Sequence, residues 1–161
     1  MDTAFLSELR SKIAYDPETG ILTRLFTYGT GRSNVMGTLT RKGYLTVSFK
    51  RKSYLAHRIA WLIQHGEWPA GQIDHINGNR ADNRLCNLRD VDGFTNGQNR
   101  HGANKNNPLG TLGVYKTRSG TFGAKIIANG RRRHLGHFGD VASAQSAYLA
   151  AKRKLHPGAT I

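Results

Sequence analysis

The sequence predicts an α+β protein built from small modules, and three observations carry that expectation. Apolar residues near the start recur at helical spacing. Residues 43–58 and 113–138 alternate at strand spacing around turn dipeptides, and each of these stretches is followed by a helical one. In order along the chain, Phe5, Leu6, Leu9 and Ile13 fall on one helical face. Asp16-Pro17 should end that helix, because proline cannot continue it and restricts its predecessor. Ile21 to Phe26 reads as a strand and the glycine-rich residues 29–37 as a loop. In GYLTVSFKRKSYLAHR, Tyr44, Thr46 and Ser48 alternate with Leu45, Val47 and Phe49, so a basic hairpin is expected with Arg51-Lys52 at its turn. Residues 57–66 read as a helix that turns Ile59, Leu62 and Ile63 inward, with Trp61 nearby, before Gly66 and Pro69 end it. Trp61 and Trp68 are expected in the core, and His57 as a satisfied structural histidine at the helix start.

The run IDHINGNRADNRLCNLRDVDGFTNGQNR carries the chemistry. A hard divalent cation takes oxygen ligands, so the Asp74 carboxylate and the Asn96 amide carbonyl suit Mg²⁺ while leaving positions open. Successive side chains of an extended segment point to opposite faces, so His75 can meet a water while Asp74 meets a metal. That arrangement suits hydrolysis of a phosphodiester. An Asp-His pair alone is usually an Asx turn beside a surface imidazole. The wider pattern favours the hydrolytic site: a Gly78-Asn79 turn, the Asn-Leu-Arg that follows, and Asn96 nine positions beyond Asn87. Asn79, Asn83 and Asn99 are expected to be loop and helix-end hydrogen bonders.

This spacing resembles the HNH endonuclease family. The resemblance implies a ββα-metal unit over residues 57–100, in which Asp74 and Asn96 hold one Mg²⁺ or Mn²⁺, His75 is the general base and Asn87 pins the loop. With Asn rather than His at position 96, the harder ions should be preferred over Zn²⁺. YLAHRIAWLIQHGEWPAGQIDHINGN and DNRLCNLR resemble the phage and intron-encoded homing branch in particular. YDPETGILTR, GYLTV and YLAHRIAW resemble the lead-in of phage HNH proteins, so residues 1–56 should buttress the nuclease unit.

Lys and Arg number 24 against 10 for Asp and Glu, a formal charge of +14 that points to a polyanionic partner. Residues 100–161 hold +10 of it, with Asp140 the single acid, yet apolar and aromatic residues recur there at ordered intervals, as in a folded domain rather than a basic tail. Residues 101–112, rich in Asn and Gly with Pro108 inside, look like a linker. Beyond them GVYKTRSG, TFGAKIIAN and RRRHLGHFG read as three strands split by Ser119-Gly120 and Asn129-Gly130 turns. Asp140 should then cap a helix from about Val141 to about His156.

The successive pieces GVY, FGAKI, RRRHLGHF and AQSAYLAAKRKLHPG resemble the plant ethylene-response-factor (apetala) DNA-binding domain. The resemblance implies, for residues 113–161, a small three-stranded antiparallel sheet packed on one helix, its exposed face entering a major groove of double-stranded DNA. By alternation Val114, Phe122, Ile126, Leu135 and Phe138 face inward. Tyr115 or Lys116, with Arg118, Lys125, Arg131, Arg132 and Arg133, is left for phosphates and bases.

Cys86 is the one cysteine, so a disulfide framework is excluded and a reducing cytosol is the expected compartment, that of a bacterial host if the chain is phage-encoded. No apolar stretch approaches membrane-spanning length, and the N-terminus lacks a signal-peptide pattern. The expected function is therefore a site-specific HNH endonuclease of the homing type. It needs no protein partner and nicks DNA as a monomer, a dimer being the route to double-strand breaks. The alternative is a non-catalytic DNA-binding regulator or accessory protein with a vestigial nuclease unit.

Overall fold

The apolar periodicities build four α-helices and a set of small antiparallel sheets, seen in a computed structural model that describes residues 3–26 and 33–160. They fall into two compact units, Met1–Asp92 and Gly93–Ile161. The first unit opens with α1 (Thr3–Lys12) and the three-stranded sheet β1 (Ile13–Tyr15), β2 (Leu22–Arg24) and β3 (Val35–Met36). A second sheet follows, made of β4 (Thr38–Leu39), β5 (Leu45–Phe49) and β6 (Lys52–Leu55), and then α2 (Ala56–His65). The two-stranded ribbon β7 (Gln72–His75) and β8 (Leu88–Val91) completes the unit, with one 3₁₀ turn, Leu85–Asn87, between its strands.

Several expectations shift here. Helix α1 stops at Lys12, ahead of Pro17, because Ile13 pairs with Arg24 across β1 and β2. Its side chain stays in the same core while its backbone turns extended. The strand expected over Ile21 to Phe26 shortens to Leu22–Arg24. Of the loop expected over 29–37, residues 29–32 lie outside the described residues and 35–36 form a strand. The basic hairpin turns at Lys50-Arg51, one residue early, with both at positive φ (49° and 61°) in the two-residue turn that joins tightly paired strands.

Leu9, Ile13, Leu22, Val47, Phe49, Ile59 and Leu62 form the main core of this unit. Phe5 meets the Phe49 ring edge-on at 5.4 Å, and Trp68 packs there too. Helix α2 is buried on a second side, where Ala60 packs with Ile73 of β7 and Leu88 of β8, flanked by Tyr15 and Trp61. Gly66 in the left-handed region returns its N–H to the Leu62 carbonyl and closes the helix. The ribbon is thus seated on α2 by its own apolar side chains.

The second unit holds α3 (Gly93–Gln98), the sheet β9 (Val114–Lys116), β10 (Phe122–Ala128) and β11 (Arg131–Phe138) in the order β11-β10-β9, and α4 (Val141–Leu155). Asn129 and Gly130, both at positive φ, make the β10–β11 turn. The Asp140 carboxylate accepts the Ser143 N–H at 2.8 Å and caps α4. Val114, Ala124 and Ala144 form the core, with Phe122, Leu135, Phe138 and Leu109 packed around them.

Two features of this unit depart from a linker joining separate modules. Asn107 donates to the Thr111 carbonyl while its own oxygen accepts the Leu109 N–H, so the segment expected as linker is partly folded. Helix α3, expected with the nuclease unit, is tied to the C-terminal segment. Gln98 accepts the Gly158 N–H at 3.0 Å, Asn99 accepts the Thr160 hydroxyl at 2.6 Å, and Lys152, 1% exposed, donates its ammonium to the Arg100 carbonyl.

Candidate active site

Asp74 and His75 end strand β7 and are only 7% and 4% exposed, which overturns the surface-imidazole reading of the pair. The ribbon register places Asp74 opposite Arg89 and His75 opposite Leu88. Arg89 Nε and Nη2 both donate to Asp74 Oδ2, at 2.9 and 2.7 Å. Arg89 thus gives this buried side chain a charged hydrogen-bonding partner.

His75 is oriented from the loop. Its Nε2 lies 3.2 Å from the side-chain oxygen of Asn83, itself only 2% exposed. An amide carbonyl there accepts the Nε2 proton and leaves Nδ1 as the basic nitrogen of the neutral ring. Burial pushes the His75 imidazole below its ordinary pKa, against the upward pull of the Asn83 bond and the Asp74 charge.

Asn83 is held in turn from the N-terminal lead-in. Tyr15 of β1 donates its hydroxyl to the Asn83 carbonyl at 2.8 Å, and the Leu85 N–H donates to the Pro17 carbonyl at 2.9 Å. The turn at 16–20 lies flat on this backbone. Gly20 sits at φ +73°, and a Cβ on it would fall 2.4 Å from the Arg84 nitrogen, so only glycine fits. Asn87 accepts the Asn77 N–H at 2.9 Å and donates to the Asp82 carbonyl at 2.8 Å, which closes the loop between the ribbon strands. Asp90 accepts the Ala70 and Gly71 amides and fixes the approach to β7.

His57, in the first turn of α2, stands nearly perpendicular to the His75 ring with centroids 5.0 Å apart, and Tyr44 flanks both. Its Nδ1 is buried and has no hydrogen-bond partner among the described residues, so the expectation of a satisfied structural histidine does not hold. Burial, helped by His75 and Arg58, pushes the His57 pKa down to about 3.

Residues 54–92 match the family model described as HNH endonuclease. No curated protein and no solved structure gives a match. The HNH stretch takes in α2, the ribbon and its loop, and with them His57, Asp74, His75, Asn83, Asn87 and Arg89. It marks an HNH endonuclease domain over these residues.

Asn96 lies beyond the HNH match, on α3 of the second unit. The donors named from sequence are therefore one carboxylate and one amide oxygen, a hard set that fits Mg²⁺ or Mn²⁺ better than a soft ion. Both Arg89 bonds land on a single Asp74 oxygen. Among the described residues, no group of three or more His, Cys, Asp or Glu side chains converges as a transition-metal cluster would.

In the second unit the register sorts the residues expected to meet DNA. Tyr115 and His137 both pair with Gly123, Lys125 with His134 and Ile127 with Arg132, so these share the face away from the core. Arg131 and Arg133 pair with the buried Ala128 and Ile126 and so belong to the opposite face, although both are exposed. Lys116 pairs with the core residue Phe122, and Arg118 lies in the β9–β10 turn. A Cβ on Gly123 would strike the Tyr115 ring at 2.4 Å, so the ring rests on that glycine, with the Lys125 ammonium 4.7 Å from its centroid.

Arg89 is not singled out by the sequence, and Asn83 and His57 are expected from it only as a loop hydrogen bonder and a structural histidine. Arg89 was within reach, since it directly follows Asn87-Leu88 and an antiparallel ribbon must set some residue of that run against Asp74. Asn83 looked like any loop asparagine, because burial is a property of the folded chain.

Proposed function

We propose that this protein is a metal-dependent HNH endonuclease of the homing type that nicks double-stranded DNA as a monomer, anchored by the sheet of its second unit. The observation that carries the reading is the buried, amide-oriented His75 beside the Arg89-held Asp74, within the stretch that matches the HNH endonuclease family. His75 takes the proton from the attacking water at Nδ1, its Nε2 proton being engaged by Asn83. Asp74 and Asn96 would hold one Mg²⁺ or Mn²⁺, which when bound supplies Lewis-acid neutralisation of charge on the scissile phosphate. Arg89 would position Asp74 and Asn87 would keep the loop closed, two contacts that support the reading. Attack of the water oxygen on phosphorus breaks the P–O3′ bond, and the departing 3′ oxygen takes up a proton, leaving 3′-hydroxyl and 5′-phosphate ends.

The face bearing Tyr115, Lys125 and Arg132 fits a major groove. Arg132 can form bidentate contacts to guanine edges and Lys125 can meet phosphates. The same sheet-and-helix arrangement supports likeness to the ethylene-response-factor domain. Incubation of the protein with supercoiled plasmid, with Mg²⁺ or with chelator, tests the whole reading. Open-circular product that needs the metal is expected. Unchanged plasmid under both conditions would leave the DNA-binding regulator as the better account.

A further inference from the structure

The second unit contains a cleft of about 510 Å³ that the duplex-reading face does not explain. That volume lies within the roughly 300–1,000 Å³ of small-ligand sites. Phe94 and Ile127, each 59% exposed, stand in its wall beside the cations Arg100, Lys125 and Arg132, and among the described residues no acidic one lines it. A bare phenyl ring in a cationic cleft is unusual for a surface that meets only phosphates. It is the pairing that single strands use, in which a ring stacks on a base and cations follow the backbone.

Gly97 adds an independent observation. It sits inside the six-residue α3, where glycine costs about 1 kcal/mol relative to alanine, yet a Cβ on it would meet nothing within 4 Å. Packing of the fold does not call for glycine there. Its effect is to leave the cleft wall open one helical turn along from Phe94.

We propose that this cleft holds unpaired nucleotides of the DNA target, one base stacked on Phe94 and its phosphates against Arg100 and Arg132. The proposal rests on the DNA-binding reading of this unit and extends it from duplex to opened strand. Lys125, Ile127 and Arg132 belong both to the cleft and to the outer sheet face, so a duplex on the sheet would deliver a locally opened strand into the cleft. Helix α3 carries Phe94 and, two residues on, Asn96, so a base stacked there is held beside the helix that presents the second proposed metal ligand.

The test is fluorescence anisotropy of the full chain, in chelator so that no cutting occurs, on a labelled duplex and on the same duplex with a short unpaired loop. The native protein should bind the looped DNA about tenfold or more tightly than the intact one, the size that one base–aromatic stack contributes. Phe94→Ala and Gly97→Leu should each bring that ratio close to one, whereas Phe94→Trp should keep it. Gly97→Leu replaces glycine in a helix and should hold or raise Tm, so its loss of preference would not be a loss of fold. A ratio near one in the native protein, or a ratio unchanged in both Phe94→Ala and Gly97→Leu, would overturn the proposal. Plasmid nicking reads the nuclease function separately, so either can fail while the other stands.

Discussion

Asn83 meets His75 at Nε2, and an amide oxygen there selects the tautomer and the ring direction. His75→Ala should lower the nicking rate by about 10² to 10⁴ with DNA affinity retained, and nicking by this variant at the native rate would remove the base role. A base works only when neutral. Because burial lowers the His75 pKa, the acid limb of the pH–rate profile should lie below the ordinary imidazole range, with activity lost as pH falls through it. Asn83→Ala removes an upward pull on that pKa, so the limb should move to still lower pH while the plateau rate drops. A limb that stays in place would show that Asn83 does not act on this ring.

His57 makes an opposite demand, on stability. Its pKa falls from 6.5 in the unfolded chain to about 3 in the fold, so below pH 6.5 the unfolded chain takes up a proton that the folded state refuses. Stability is therefore lost as pH falls from about 6.5 towards about 3, at roughly 1.4 kcal/mol per pH unit from this group. His57→Phe should flatten Tm against pH across that window, and parallel losses in variant and native protein would contradict it.

At the scale of elements, the β7–β8 ribbon is held from both ends. Asp90 clamps its approach, and Asn87 ties the loop to the Asn77 amide and the Asp82 carbonyl. Asn87→Ala leaves both backbone groups without that partner and should cost about 1–3 kcal/mol in unfolding free energy, measured by denaturant titration. A midpoint equal to the native one would mean that the loop holds without it. Helix α3 depends on distant chain in the same way, since Gly158 and Thr160 bind Gln98 and Asn99.

For the whole molecule, the division after Asp92 bears on where the chain can be cut. A protein ending at Asn106 keeps α3 but loses Lys152, Gly158 and Thr160, and with them the bonds that hold residues 98–100. It should lose metal-dependent nicking even though Asp74, His75 and Asn87 remain, and full activity would show that α3 is held by other means. Residues 100–161 carry +10 of the +14, so they should dominate the salt dependence of binding. Each phosphate contact contributes about −0.9 to the slope of log affinity against log salt. Arg132→Ala should flatten the slope by about that amount and Arg131→Ala by less, because only Arg132 shares the outer face with Lys125. Equal effects would show that strand register does not decide which arginine meets DNA.

Local pattern was enough to read several parts of this protein from its sequence. Alternation along 45–49, the helix over 57–66, the Asn129-Gly130 turn and the Asp140 cap depend on residues close in the chain, where backbone sterics and side-chain period act directly. The Asp74-His75 pair was legible for the same reason, as adjacent residues with matched chemistry. What only the tertiary structure decided depends on residues brought together from afar. Ile13 leaves its helix because Arg24 offers a strand partner, and Asn83 becomes a buried orienting group because Tyr15 and Pro17 hold its loop. Helix α3 belongs with the C-terminal unit because Gly158 and Thr160 satisfy its end. Hydrogen bonds across such separations follow from the packing of the whole chain, which no window of neighbouring residues contains.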